Sequence, residues 1–146
     1  GTYFSSAFYQ KLKDLDFNKL EIKNSRSRRK KLIKAHYGKR AAPALKNLKE
    51  RWDQEKFDIS TLREKEDEIK ELIAQNEEQL NKIPQHLRDT GILEREDVKK
   101  IKKEWLKRAL ISGLEIRNRF TVSTLLKQIG YLDKFSNQLL EKFYNE

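Results

Sequence analysis

Two histidines, His36 and His86, are the only imidazoles in the chain, and there is no cysteine to join either of them. Proton transfer near neutral pH and transition-metal ligation lean on these residue types. His36 stands beside Tyr37, a pairing that invites comparison with a strand-cleaving tyrosine and its base. A single neighbour pair with no third orienting group falls short of an activated nucleophile, and stacking or packing accounts for Tyr37 equally well. His86 follows Pro84 and Gln85 and is expected to be exposed.

Carboxylates offer a second possibility. Glu64/Glu68 and Asp67/Glu71 are spaced to share one face of a helix, as a divalent-metal site would require. Arg63/Asp67 and Glu66/Lys70 follow the same spacing, so an ion-paired solvated helix explains the run. The glycines stand alone at 1, 38, 91, 113 and 130, which leaves no glycine-rich phosphate loop. No catalytic residue, metal or cofactor is therefore assigned, and the chain reads as a non-enzyme, whatever a larger parent protein does.

The distribution of positive charge is more informative. The formal net charge is +10, and it is not spread evenly. Between Ile22 and Lys49 lie eleven cations and no acidic residue: Lys23, Arg26, Arg28, Arg29, Lys30, Lys31, Lys34, Lys39, Arg40, Lys46 and Lys49. The other 118 residues hold 22 basic and 23 acidic side chains, so the whole excess belongs to residues 22–49. Crowding like charges costs stability, which makes such a segment worth explaining. A polyanion would neutralise it, with counterions released from nucleic-acid phosphates as the driving force. Arginine forks suit bidentate phosphate contacts and lysines act as point charges. Asn24, Ser25, Ser27, His36 and Tyr37 are interleaved and can add neutral phosphate or base contacts. All eleven cations are thus candidate nucleic-acid-binding residues, on DNA or RNA. The rival expectation is a scaffold that docks an acidic protein, or a basic segment covered by the chain's own acid-rich stretch at 64–78. Localisation-tract and membrane-surface readings of the run also stand.

These residues must be held by helices. Gly and Pro together number seven in 146 residues, and good helix formers dominate. The class is all-α, a bundle of about five or six helices in a single domain over 1–146. Phe4, Phe8, Leu12 and Leu15 make an amphipathic stripe over 3–15. Residues 16–24 read as an irregular connection. A helix over 25–37 should end at Gly38, and another should begin near Pro43, burying Leu45, Leu48 and Trp52. A long, heavily charged helix is expected over about 61–83, capped by Ser60 or Thr61 and ended by Pro84, as an arm or the leg of a protruding hairpin. A second long helix from Glu94 should bury Val98, Ile101 and Trp105. Thr121 or Ser123 caps a further helix, Gly130 breaks it, and a last one runs from Asp133. That final pair has the length of a helix-turn-helix, with Lys134, Asn137, Gln138 and Lys142 on its polar face, although any helical hairpin looks similar.

No run approaches the ~18 apolar residues of a membrane span. The start has neither a charged nor an apolar signal-peptide region, and with no cysteine the chain reads as intracellular: cytoplasmic, nucleoid or nuclear. The chain contains no methionine, and Gly1 resembles the remnant of a cleaved tag, so a domain excised from a larger protein is expected.

Overall fold

The computed structural model describes residues 2–117 and 119–145; Gly1, on which the tag reading rests, lies outside them. The fold is all-helical. Among the described residues there are ten α-helical segments and no strand. They are α1 (Thr2–Lys13), α2 (Arg26–Tyr37), α3 (Ala42–Arg51), α4 (Ile59–Glu64), α5 (Glu66–Gln75), α6 (Glu77–Asp89), α7 (Glu96–Lys99), α8 (Lys103–Ser112), α9 (Val122–Gln128) and α10 (Leu132–Asn145). The count exceeds the expected five or six in part because two long stretches, α4–α6 and α7–α8, are interrupted by breaks of one to three residues; rejoined, they leave seven.

The main core forms around α1. Its stripe of Phe4, Phe8 and Leu12 is buried against Leu126, Ile129, Leu132, Phe135, Leu139 and Leu140 of α9 and α10 and the turn between them. Tyr3, Phe4 and Phe143 add an aromatic cluster with ring centroids 5.2–5.6 Å apart. The 16–24 connection is irregular, as expected, but not superficial: Phe17 and Leu20 are fully buried. A smaller apolar cluster of Ile33, Ala41, Ala44 and Leu48 joins α2 to α3, with Tyr37, Leu45 and Trp52 at its edge.

The acid-rich arm departs from a single long helix. It begins at Asp58, whose carboxylate accepts from Ser60 N, so the cap lies ahead of both Ser60 and Thr61. The helical path is broken at Lys65 and Asn76. At Asn76 the cause is visible. Its side-chain amide donates to Leu72 O at 2.8 Å, the carbonyl its own backbone N–H would have used, and that N–H turns to Ile73 O instead. Pro84 does not end the arm, as expected from the sequence, but sits inside α6. Leu87, one turn on, packs on the main core, and Gly91 (φ 68°) ends the path.

The arm does not protrude. Gln10 bonds Asn81, Lys13 bonds Glu77 at 2.7 Å, and Arg63 donates to Leu20 O at 2.8 Å, so it runs antiparallel along α1 and the connection. No helix among the described residues is long and apolar enough to cross a membrane.

The helix expected from Glu94 is likewise divided. Residues 100–102 leave the helical path, and Lys102 is extended (φ −66°, ψ 136°). The break shifts the register of α8. Leu106, Leu110, Ile111 and Leu114 form the packing stripe, while Trp105 is 65% exposed and Ile116 57% exposed. The expected burial of Trp105 and Ile101 is thus corrected.

Candidate nucleic-acid interface

The basic segment is built mainly on α2. Ser25 is extended and its hydroxyl accepts from Arg28 N at 3.3 Å, satisfying one orphan donor of the first turn. Gly38 (φ 52°) closes the helix, its N–H donating to Lys34 O. Between these caps the 3.6-residue period sorts the side chains. Arg29 and Ile33 are buried; Leu32, His36 and Tyr37 are half-buried. Ser27, Arg28, Lys30, Lys31 and Lys34 are exposed.

Arg26, Ser27, Lys30, Lys31 and Lys34 line one open depression on the outer face of α2. Exposed Lys39 and Arg40 follow in the 3-10 turn Gly38–Arg40, and Lys46 and Lys49 lie on the exposed side of α3. Lys23, also exposed, precedes the helix and is tied back by its N–H to Gln128 O at 2.7 Å.

Acidic partners on this face are few and loose. Arg28 reaches Asp133 at 3.4 Å and Lys46 reaches Glu50 at 3.8 Å, both between exposed side chains. Pairs of that kind contribute ~0–1 kcal/mol and do not sequester a cation. The acid-rich α5 packs on α1, α4 and α6, whereas α2 packs on α3, α8 and the 3-10 turn Gly38–Arg40.

Arg29 is the exception among the candidates. Its side chain is 2% exposed. It grips Glu115 at two points, Nε to Oε1 and Nη2 to Oε2, each at 2.8 Å, and donates through Nη1 to Glu55 at 2.5 Å. Arg51, equally buried, donates to Glu115 Oε2 at 2.6 Å and to Leu114 O at 2.7 Å. Its Nε lies 2.9 Å from Glu55 Oε1, an ion-pair contact off the line of a hydrogen bond. Gln128 donates to Glu55 O at 2.7 Å and ties the group to α9. Burial works against the Arg29 guanidinium, but its bonds to Glu115 and Glu55 prevail and raise its pKa. Arg29 therefore holds α2 to α3 and to the turn after α8, and its guanidinium is committed to Glu115 and Glu55 rather than free to grip a phosphate. A charge reversal that includes Arg29 would test folding rather than binding.

Lys127 joins the site without having been singled out by sequence, whereas Trp52, His36 and Tyr37 were named there and find other partners. Trp52, expected in the core, is half-buried at the end of α3 with the guanidinium carbons of Arg26 and Arg29 at 5.8 and 5.7 Å from its ring. Lys127 of α9 reaches inward, donating to Ile111 O at 2.7 Å with Glu115 at 3.9 Å. Burial, then the nearby arginines against Glu115, hold its pKa below the usual lysine range. His36 Nδ1 lies 2.6 Å from Ser112 Oγ, and Tyr37 donates to Ser112 O at 2.8 Å. Burial, then the positive charges of Arg108 and Lys127, lower the His36 pKa, with Asp133 opposing. His36 and Tyr37 are thus engaged by α8 rather than by each other.

The helix-turn-helix candidates on α10 remain on its polar side. Lys134, Asn137, Gln138 and Lys142 are exposed, but Gln138 accepts from Lys11 of α1 at 2.8 Å and Lys134 lies over Tyr131. Among the described residues no group of three or more His, Cys, Asp or Glu is placed to hold a metal. The chain has no significant match among protein-family models, curated proteins or solved structures.

Proposed function

We propose that this chain is a non-catalytic nucleic-acid-binding module of a larger, intracellular DNA- or RNA-handling protein, and that it grips the sugar-phosphate backbone through the outer face of α2. The observation that carries this reading is the gathering of Arg28, Lys30, Lys31 and Lys34 on exposed positions of one helix, where Asp133 opposes Arg28 loosely at 3.4 Å. Arg26 lies beside them over Trp52, and Lys39 and Arg40 extend the charge past the helix end. A helix of 12 residues spans ~18 Å, comparable to several phosphate spacings along one strand. Phosphate contacts of this kind fix position without reading sequence, so they confer little base preference.

The test is a mobility-shift titration at two salt concentrations, using single- and double-stranded DNA, RNA, and polyglutamate of matched charge. Nucleic acid should bind, and binding should weaken steeply with salt. Equal binding of polyglutamate would favour an acidic protein partner instead. No binding to any polyanion would remove the proposal.

A further inference from the structure

The amino-terminal end of α2 overhangs a cavity of about 110 Å³ whose lining includes Lys23, Ser25, Arg28, Arg29, Lys127 and Asp133. Its floor is charged. Arg29 and Lys127 line it, with Arg51 behind them, and among the described residues the buried carboxylates these three cations face are Glu55 and Glu115, one negative charge short. Lys127 is the one left over. Its side chain is 10% exposed and its nearest carboxylate oxygen is 3.9 Å away, too far for a hydrogen bond. Its ammonium donates to Ile111 O at 2.7 Å, and a buried ammonium held by a carbonyl with no close carboxylate is stabilised by an approaching anion.

The rim adds Lys23 and Arg28, both exposed, against a single carboxylate, Asp133. Arg28 and Asp133 meet at 3.4 Å with side chains 71% and 47% exposed, a contact loose enough for Arg28 to exchange Asp133 for a better acceptor. Asn24 also lines the cavity, and its amide oxygen is buried without a hydrogen-bond partner.

The walls are fixed in place. Lys23 N donates to Gln128 O at 2.7 Å, and the Lys23 side chain lies across Gly130, where a Cβ would stand 2.8 Å from Lys23 Cδ. One water needs ~10–15 Å³ of such space, so the cavity has room for a five-atom tetrahedral anion. We propose that this cavity is a discrete phosphate site, taking inorganic phosphate or a terminal phosphate monoester between Lys23, Arg28 and Lys127. It borders the outer face of α2 and shares Arg28 with it, but does not require that face to bind nucleic acid.

The test is calorimetric titration of the whole chain with inorganic phosphate in chloride buffer at constant ionic strength. Saturable one-site binding is expected. The double variant Lys23→Ala/Arg28→Ala should weaken it by about tenfold or more, since charge-assisted bonds are lost. Asp133→Asn should strengthen it several-fold, and Lys46→Ala/Lys49→Ala, on the far side of the segment, should leave it unchanged. Non-saturable heats from the parent chain would overturn the proposal, as would equal weakening by the Lys46/Lys49 variant.

A second titration separates the sources of phosphate. In a Lys30→Glu/Lys31→Glu/Lys34→Glu background, which removes the outer face, short oligonucleotides with and without a 5′-phosphate are compared. A preference for the phosphorylated end that is lost in Lys23→Ala/Arg28→Ala assigns the site to a nucleic-acid terminus. No preference with inorganic phosphate binding intact assigns it to free phosphate.

Discussion

Arg29 and Glu115 meet as two parallel hydrogen bonds of 2.8 Å, 86 residues apart in sequence and both nearly inaccessible to solvent. Glu115 also receives Arg51, so one carboxylate serves two guanidinium groups from two helices. Removing it would leave Glu55 as the one buried carboxylate against both cations among the described residues. Glu115→Ala should therefore cost ~3–5 kcal/mol, the usual penalty for stranding a buried charge. Urea denaturation followed by circular dichroism measures it. A loss below ~1 kcal/mol would mean that water reaches the two guanidinium groups and solvates them in place of the carboxylate.

The exposed cations should behave in the opposite way. Lys30→Glu/Lys31→Glu/Lys34→Glu alters solvated side chains, so stability should change by only ~0.5 kcal/mol per site or less. Nucleic-acid binding should be lost. In the parent chain, ~4–6 phosphate contacts predict a log–log salt slope of about −3.5 to −5.5 on double-stranded DNA. Salt-dependent fluorescence anisotropy gives the slope. A value near zero would exclude phosphate contacts as the source of affinity.

Much of this arrangement was legible in the sequence where the cause is local. The α1 stripe, the Gly38 and Gly130 ends, Pro43 in the first turn of α3 and the Thr121 cap all follow from spacing and backbone chemistry. The break at Asn76 arises from a side chain competing for Leu72 O, which periodicity does not register. The register shift at 100–102 has no local signal as clear, and it moves Trp105 from the expected core face to solvent. Among the basic residues, composition could not tell Arg29 from its neighbours. The available hint was Glu115, an acidic residue inside the apolar run from Leu110 to Ile116, a position that calls for a buried cation.

Gly130 offers a test of how tightly the basic segment is docked. Tyr131 N donates to Leu126 O at 2.8 Å and Gly130 N to Lys127 O at 3.2 Å, the paired closing bonds of a Schellman turn with φ +80° at the glycine. A side chain there meets both the left-handed backbone and the overlying Lys23. Gly130→Ala should cost more in chemical denaturation than the ~1–2 kcal/mol that the left-handed backbone alone demands. Pairing it with Lys23→Ala should recover the steric part. If the second substitution recovers nothing, Lys23 does not rest on Gly130 in solution.

His36 supplies the pH dependence. Burial first, then Arg108 and Lys127, hold its pKa below the ordinary histidine value near 6.5. The unfolded chain therefore binds a proton at a pH where the folded chain does not. Between the folded value and ~6.5 stability rises with pH, and on acidification it falls until His36 is protonated in both states. His36→Gln should flatten that limb of the stability profile while keeping a hydrogen-bonding partner for Ser112. Phosphates laid along α2 would act in the other direction, stabilising the imidazolium and raising its pKa, so nucleic-acid binding should tighten as pH falls toward ~6. NMR titration of the His36 ring protons, alone and with a saturating oligonucleotide, reads both effects. An unchanged midpoint in the complex would mean that the bound phosphates do not come near the carboxyl-terminal turn of α2.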